Sequence, residues 1–182
     1  MTGRIGGWIQ TFTGRAFWPL DPRTEDIVIE DVAHALSNMC RYTGHTRVFY
    51  SVANHAVLAS HACAPEDALE GLLHDASEAY LVDVPRPIKH YMVLYKDVEA
   101  RLEVVIAERF DLRYPWPPSV KTADNALLAT ERRDLMAPPP MPWRPEETVD
   151  PLKEHIDPWP PAIAERLFLE RFHELVQQRG LH

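Results

Sequence analysis

The dyad His74-Asp75 places an imidazole beside a carboxylate, and the further carboxylate Glu78 follows within one helical turn. Neighbouring residues on a helix point about 100° apart, so both dyad side chains can bind one ion only if it lies between their directions. Such an ion needs more ligands from elsewhere in the chain. His55 lies upstream and Asp124 downstream, each in a sequence of helical character. The residues therefore predict a metal site with two imidazole and two carboxylate ligands.

A mixed nitrogen and oxygen site suits borderline and moderately hard divalent ions such as Zn, Co, Mn or Fe, and Mg is a further candidate. Four protein ligands leave room in an octahedral shell for water or a phosphate oxygen. An ion in such an open site polarises a phosphoryl oxygen and lowers the pKa of bound water. This ligand set therefore favours a catalytic metal centre over a closed structural one.

Three predicted helices must position these ligands. Apolar residues recur with helical spacing over residues 30–41, 51–64, 65–80, 88–110, 119–136 and 162–180. His55 falls on the second of these helices, His74 and Asp75 on the third, and Asp124 on the fifth. Residues 8–20 are aromatic and β-branched around Gly14, a pattern that predicts a small β-hairpin. The expected fold is all-α, a helical bundle with this hairpin at its N-terminus.

Prolines divide the predicted helices. The run Pro85-Arg86-Pro87 is expected to break the chain after the dyad helix, because residues before proline avoid helical geometry. Nine of the 17 prolines fall in residues 138–161, which predicts a long surface loop before the last helix. Glu99 is expected on the exposed face of the fourth helix. At 182 residues, the chain is predicted to form one domain over residues 1–182.

Composition narrows the classes of partner. Nineteen basic against 27 acidic residues give a formal charge of −8, which disfavours nucleic-acid polymers and anionic membranes as partners. Two cysteines without CxxC spacing predict neither a disulfide framework nor a thiolate zinc site. No targeting segment and no long apolar stretch is recognised. A cytoplasmic location is therefore expected.

The same ligand residues carry a resemblance to a known family. His55, the pair His74-Asp75 and Asp124 resemble the H…HD…D signature of the HD-domain metal-dependent phosphohydrolases. The run LHDASEAY at residues 73–80, followed by DVPRPIK at 83–89, is similar to the pattern in small bacterial 5′-deoxynucleotidases and in phage dATP triphosphohydrolases of similar length. The resemblance covers residues 8–136. It implies an HD-domain helical bundle in which the four signature residues bind the metal.

The resemblance also implies roles for residues that follow the dyad. Glu78 and Asp83 would be the acid–base carboxylates, and Glu78 faces the same side of its helix as the dyad. Lys89 would hold a phosphate oxygen as a point charge, behind a turn in which Pro85 would contact the substrate.

Two residues upstream of the first ligand complete the implied site. Arg41 stands 14 residues before His55, and Tyr42 follows it, where the relatives carry arginine and an aromatic residue. Arg41 would pair with phosphate or sugar, and Tyr42 would pack on the deoxyribose or base. Many of the 5′-deoxynucleotidases have tryptophan in place of Tyr42, so base and sugar selectivity stay open.

The expected function is hydrolysis of deoxynucleotides, with a dATP-type triphosphohydrolase that releases deoxynucleoside and triphosphate as the first hypothesis. A 5′-deoxynucleotidase acting on dNMPs is the alternative, and a non-catalytic nucleotide-binding protein of the same fold is an alternative of another class. The resemblance implies a homo-oligomer, either a dimer or a hexamer. The remaining histidines considered are interpreted as structural: His34, His45, His61 and His90.

Overall fold

The computed structural model describes residues 3–143 and 149–180. These residues form a mostly helical bundle with a small antiparallel sheet at the N-terminus, which confirms the predicted fold class. The strands are β1 (Ile9–Gln10) and β2 (Ala16–Phe17). The helices are α1 (Ile29–Asn38), α2 (Val52–Ala62), α3 (Ala68–Leu73), α4 (Glu78–Leu81), α5 (Arg86–Lys89), α6 (Val93–Arg109), α7 (Pro118–Leu135) and α8 (Pro161–Arg179).

The predicted N-terminal hairpin is confirmed, and both hydrogen bonds and aromatic stacking attach it to the bundle. The backbone N–H and the hydroxyl of Thr13 donate to the carboxylate of Asp31 on α1, at 2.7 and 2.9 Å. Phe17 is fully buried and stacks on Tyr80 of α4, with ring centroids 4.1 Å apart. The hairpin therefore packs against the segment that follows the dyad.

Helix α2 is the most enclosed element, since it packs against α1, α3, α7 and α8. Ser51 caps its N-terminus by accepting a hydrogen bond from the Asn54 N–H at 3.1 Å, which satisfies a donor that the first helical turn leaves free. Phe168 of α8 is fully buried in the same core. Because helices cover α2 on several sides, its polar residues Asn54, His55 and Ser60 are buried too, and His55 is 0% exposed.

The dyad lies in a break that the sequence pattern did not predict. Residues 65–80 are not one helix, because α3 ends at Leu73 and α4 begins at Glu78. The backbone between them makes i→i+3 hydrogen bonds. The Ala76 N–H donates to the Leu73 carbonyl and the Glu78 N–H to the Asp75 carbonyl, each at 3.0 Å. Side chains three residues apart eclipse in such i→i+3 geometry, so Asp75 and Glu78 point the same way.

The segment after the dyad also differs from expectation. The Pro85–Pro87 run was expected to be a break, but α5 begins at Arg86, because proline is tolerated in the first helical turn. The long helix α6 then starts at Val93. Glu99 is buried, so its predicted exposure is wrong: α6 turns it toward α5, where its Oε1 lies 2.6 Å from Lys89 Nζ.

The described parts of the proline-rich segment, residues 138–143 and 149–160, contain no helix or strand. Several hydrogen bonds attach it to the bundle, among them those from the Leu152 N–H to Thr130 Oγ1 at 2.8 Å and from the Trp159 N–H to Asn54 Oδ1 at 2.9 Å. Residues 144–148 of the predicted loop lie outside the described residues. That the chain is one domain stays a prediction. Within the described ranges, no helix is both long and apolar enough to cross a membrane.

Candidate metal centre

Three elements bring together three of the predicted ligands. His55 lies on α2, His74 directly after α3, and Asp124 on α7. One ligand atom from each of these residues lies within 4.8 Å of the other two. His55, His74 and Asp124 could therefore hold a metal ion.

Both histidine rings are oriented by hydrogen bonds at Nδ1. The His55 Nδ1 lies 2.6 Å from the Glu131 Oε1, and the His74 Nδ1 lies 2.9 Å from the Gly71 carbonyl oxygen. An ionised carboxylate and a carbonyl can only accept, so each Nδ1 donates and the proton of the neutral ring is placed there. Each Nε2 is then a free lone pair, and neither Nε2 has a hydrogen-bond partner among the described residues.

Gly71 brings the two histidine-bearing helices close together. A Cβ at this position would lie 2.5 Å from Cys63 Sγ and 3.3 Å from the Ala59 carbonyl oxygen. Only glycine therefore permits this approach of α3 to α2 without a shift. The same residue presents the carbonyl that orients His74, so it influences both the spacing and the direction of the ligands.

Asp75 lies beside both histidines but outside the group of three. Its Oδ1 is 3.2 Å from His74 Nε2, and its Oδ2 is 3.7 Å from His55 Nε2 and 3.4 Å from Arg41 Nη1. Burial acts to raise the pKa of Asp75, but nearby His74, His55 and Arg41 outweigh it and lower the pKa. The carboxylate is thus favoured in its ionised form, and its predicted role as a fourth ligand stays a prediction.

The two oxygens of Asp124 have separate partners. Its Oδ1 lies 3.6 Å from His55 Nε2, whereas its Oδ2 accepts from Arg86 Nη2 and Lys121 Nζ, both at 2.9 Å. Burial acts to raise the pKa of Asp124, but His55, His74 and Lys121 lower it well below its usual range. One oxygen is therefore directed at the centre while cations hold the other.

The donor set fits a divalent ion. Two neutral imidazole nitrogens with free lone pairs and an ionised carboxylate oxygen face one another, which is the arrangement that binds borderline divalent metals. Without a ligand, buried nitrogen atoms such as the His55 Nε2 would carry an uncompensated desolvation cost. The orphaned nitrogens therefore agree with the metal-binding prediction.

Glu131 is the main residue of the site that sequence reasoning missed. It is 0% exposed on α7, and besides the His55 ring it accepts hydrogen bonds from the hydroxyls of Tyr42 and of Tyr50, the latter at 3.0 Å. Arg41 Nη2 lies 3.4 Å from its Oε2. Burial acts to raise the pKa of Glu131, but Arg41 and His55 dominate and lower it to about 2. Its signal was its position seven residues after Asp124, which places both acids on the buried face of α7.

The turn Arg41–Gly44 holds the two predicted upstream residues against this carboxylate. Arg41 is buried between Asp75 and Glu131, and its guanidinium lies 5.4 Å from the centre of the Tyr42 ring. Tyr42, Thr43 and Gly44 all have positive φ, at 55°, 54° and 81°. Left-handed backbone costs energy in tyrosine and threonine, and such strain is often found where a side chain must be aimed.

A cavity of about 700 Å³ opens over the centre. All the predicted catalytic and substrate-binding residues line it, and so do Asp75 and Asp124, while the two histidines lie behind these carboxylates. The lining residues are Arg41, Tyr42, Thr43, His45, Asp75, Glu78, Asp83, Val84, Pro85, Arg86, Pro87, Lys89, Lys121, Asp124, Leu128, Met136 and Trp143. The cavity size is within the usual range for small-molecule sites.

The two predicted acid–base carboxylates both have a raised pKa. Burial raises the pKa of Glu78 well above its usual range, and the charges of Asp75 and Asp83 add to the effect. Burial likewise raises the pKa of Asp83. The buried Oε2 of Glu78 has no hydrogen-bond partner in the described part of the chain. Glu78 can therefore hold a proton at Oε2 next to the cavity.

The predicted phosphate contact is held by a partner that the sequence did not reveal. Lys89 Nζ pairs with Glu99, and its pKa is raised because this pairing outweighs burial, which acts to lower it. His45, interpreted from sequence as structural, lies on the cavity wall. Trp143, from the proline-rich segment, is a second wall residue that no sequence motif indicated.

Relatives of the chain were found at high coverage. It is 42% identical over 174 residues to YfdR of Escherichia coli strain K12, described as an uncharacterized protein, with 94% of this chain and 97% of YfdR covered. It is also 35% identical over 136 residues to an uncharacterized protein of Rhodobacter capsulatus, with 69% of each chain covered. No family model matches the chain.

Proposed function

We propose that this chain, which belongs to the same protein family as Escherichia coli YfdR, is a metal-dependent phosphohydrolase of deoxynucleotides of the HD-domain type. One observation carries the proposal. His55, buried on α2, and His74, directly after α3, expose unpartnered Nε2 atoms toward each other and toward Asp124, beside a cavity that all the predicted catalytic and substrate-binding residues line.

His55, His74 and Asp124 would hold the ion, with Asp75 beside them. When bound, a divalent ion supplies a Lewis acid that polarises a phosphoryl oxygen and lowers the pKa of water. Arg41 and Glu131 keep Asp75 and His55 in place behind the reacting groups. The fixed positions matter because reacting groups gain most from a geometry prepared before the substrate arrives.

Glu78 is suited to move a proton at its Oε2. Its burial and the nearby carboxylates raise its pKa toward the range that a general acid or base requires. Asp83, with a raised pKa on the same cavity wall, is suited to exchange a proton with the departing oxygen. Proton donation and proton acceptance by these two carboxylates are both part of the proposal.

The charge of the cavity supports a phosphate-bearing substrate. Four cationic side chains line it, and four carboxylates oppose them, so a bound divalent ion would leave the wall positive. Arg86 and Lys121 extend beyond Asp124 and are 45% and 62% exposed in their side chains, so they can reach a chain of phosphates. This reach favours a triphosphate over a monophosphate substrate. Tyr42, Leu128 and Trp143 supply an apolar part of the wall for sugar and base.

The test is a chromatographic assay of dNMPs, dNDPs and dNTPs with Co, Mn or Mg. Release of deoxynucleoside and triphosphate from dATP is the expected result. Release of phosphate from dAMP alone would replace the triphosphate reading by a 5′-deoxynucleotidase. Nucleotide binding without turnover under every ion would contradict the enzyme proposal and favour a binding protein.

A matched pair of variants assigns the activity to the site. Asp75→Ala should abolish turnover, because it removes a carboxylate in contact with both histidines and with Arg41. Asp97→Ala removes an exposed acid on α6 that pairs only with Arg101 among the described residues, and it should leave turnover unchanged. Full activity in Asp75→Ala would overturn the site assignment.

A further inference from the structure

We propose that Glu131 is a positioning residue that fixes the ring of His55 as a metal ligand. This inference rests on the proposed metal-dependent function. It concerns a residue outside the HD pattern, seven residues beyond the last signature aspartate on the same helix.

The geometry at His55 determines which nitrogen is free. The 2.6 Å contact of its Nδ1 with Glu131 Oε1 is the hydrogen bond that the described residues offer this ring. It fixes both the rotation of the ring and the position of its proton, and so leaves the Nε2 lone pair directed at Asp124 and Asp75. A carboxylate that accepts from the far nitrogen of a ligand histidine also makes the near nitrogen a stronger donor.

Glu131 is itself fixed, so that it can orient the ring. Its two oxygens accept from the hydroxyls of Tyr42 and Tyr50, and the guanidinium of Arg41 lies beside them. These donors come from the segment between α1 and α2, while Glu131 comes from α7. A carboxylate held from three directions cannot turn away from the histidine without breaking other buried contacts.

If Glu131 had only a structural role, its substitution would lower stability without changing metal binding. The chain offers a matched control for that case. Glu70 is also 0% exposed and is also held by arginines, Arg113 and Arg179, but the described residues place it in contact with no predicted metal ligand. Neutralising either acid is expected to lower stability. Only Glu131 is expected to change metal binding.

The experiment is a Co²⁺ titration of the full chain, followed by the visible absorption of the bound ion, for wild type, Glu131→Gln and Glu70→Gln. We expect Glu131→Gln to raise the dissociation constant by about 10–100-fold, the usual effect of losing the partner of a ligand histidine. The Co²⁺ spectrum should also change, because a neutral amide oxygen is a weaker acceptor for the His55 Nδ1–H than a carboxylate and holds the ring less firmly. Glu70→Gln should melt at a lower temperature yet bind Co²⁺ as wild type does.

Wild-type affinity and spectrum in Glu131→Gln would overturn the inference while leaving the proposed function intact. Absence of Co²⁺ binding by the wild-type protein would instead contradict the proposed function. If Glu131→Gln does not fold, Glu131→Asp decides: it keeps the charge but withdraws the oxygen from Nδ1. Weakened Co²⁺ binding in Glu131→Asp supports the positioning role, and unchanged binding rejects it.

Discussion

Two buried carboxylates, Glu70 on α3 and Glu131 on α7, look alike until their partners are followed. Both are 0% exposed, both contact arginine, and both have a lowered pKa. For Glu70, burial acts to raise the pKa, but hydrogen bonds from Arg179 and Arg113 lower it. By burial and pKa alone, either residue would qualify as part of a functional site.

Their partners separate them. Glu70 accepts from the backbone N–H and the Nε of Arg113, both at 3.1 Å, and from Arg179 near the end of α8. These cations extend to the surface, since the Arg113 side chain is 55% exposed. Three of the groups around Glu131 are instead themselves buried, namely Arg41, Tyr50 and His55, and His55 keeps an open nitrogen.

A partner residue with an unused hydrogen-bond donor or acceptor therefore distinguishes a functional site from a purely structural ion pair. The Glu70 cluster joins α3 to the segment after α6 and to α8, and its charges pair with one another. The Glu131 cluster orients a ring whose far nitrogen lies 3.6 Å from Asp124 and 3.7 Å from Asp75, two residues that line the cavity. A perturbed pKa reports strong interactions in both places but identifies neither function.

The largest expected effect is on metal binding, and it distinguishes the Glu131 cluster from the Glu70 cluster. His74→Ala removes one open nitrogen and should weaken Co²⁺ binding by more than about 100-fold, beyond the usual loss of a ligand's partner. Its free energy of unfolding should change little, because the ring makes one hydrogen bond, to the Gly71 carbonyl, within the described residues. Isothermal titration with Co²⁺ measures the effect. The exposed His61 on α2 is the control, and His61→Ala should bind as wild type; equal affinity in the two variants would refute the site.

Glu70→Gln should produce the opposite pattern. It removes the charge that Arg113 and Arg179 share, and should lower the free energy of unfolding by about 2 kcal/mol, below the 3–5 kcal/mol of fully enclosed pairs because Arg113 is half exposed. Urea unfolding gives the value. Turnover at saturating metal should stay at the wild-type level, and a loss of Co²⁺ affinity would erase the distinction between the clusters.

Acidification should weaken both clusters. Each carboxylate has a folded-state pKa below its ordinary 4.5, so its stabilisation is complete above pH 4.5 and is lost as pH falls through the folded value, near pH 2 for Glu131. Each group adds a slope of up to about 1.4 kcal/mol per pH unit in this window. Urea unfolding at successive pH values should show the difference between wild type and Glu70→Gln shrinking below pH 4.5. A constant difference would mean that Glu70 is not ionised in the fold.

Tyr50→Phe should have the smallest effect. Its hydroxyl is one of several donors to Glu131, and removing it should cost about 1 kcal/mol of unfolding free energy, the net value of a single hydrogen bond. Co²⁺ affinity should fall less than in Glu131→Gln, because the contact with the His55 ring remains. A loss as large as that of Glu131→Gln would show that Tyr50, rather than the whole set of donors, holds the carboxylate.

The sequence predicted what local pattern determines. Helical spacing found α2 and α7 within one or two residues of their ends, and residue type identified His55, His74 and Asp124, which the structure brings together. The break at the dyad was missed, because a ring-to-carbonyl hydrogen bond within one turn leaves the apolar spacing unchanged.

Residues whose role depends on distant partners could not be predicted with the same rules. Glu131 meets His55 across 76 positions of sequence, and Lys89 meets Glu99 only because α5 and α6 fold against each other. An acid on the buried face of a helix, as at Asp124 and Glu131, indicates that some partner exists but does not identify it. Trp143 reaches the cavity from a segment without regular structure, where no periodicity applies.

At the left-handed turn of Tyr42 and Thr43, stability and function favour different residues. Glycine or asparagine at position 42 would relieve the backbone, whereas tyrosine supplies the hydroxyl on Glu131 and the ring on the cavity wall. Random mutagenesis screened only for thermal tolerance should therefore accept changes at this position that a screen for turnover rejects. At this turn, selection for thermal stability and selection for turnover would therefore lead to different sequences.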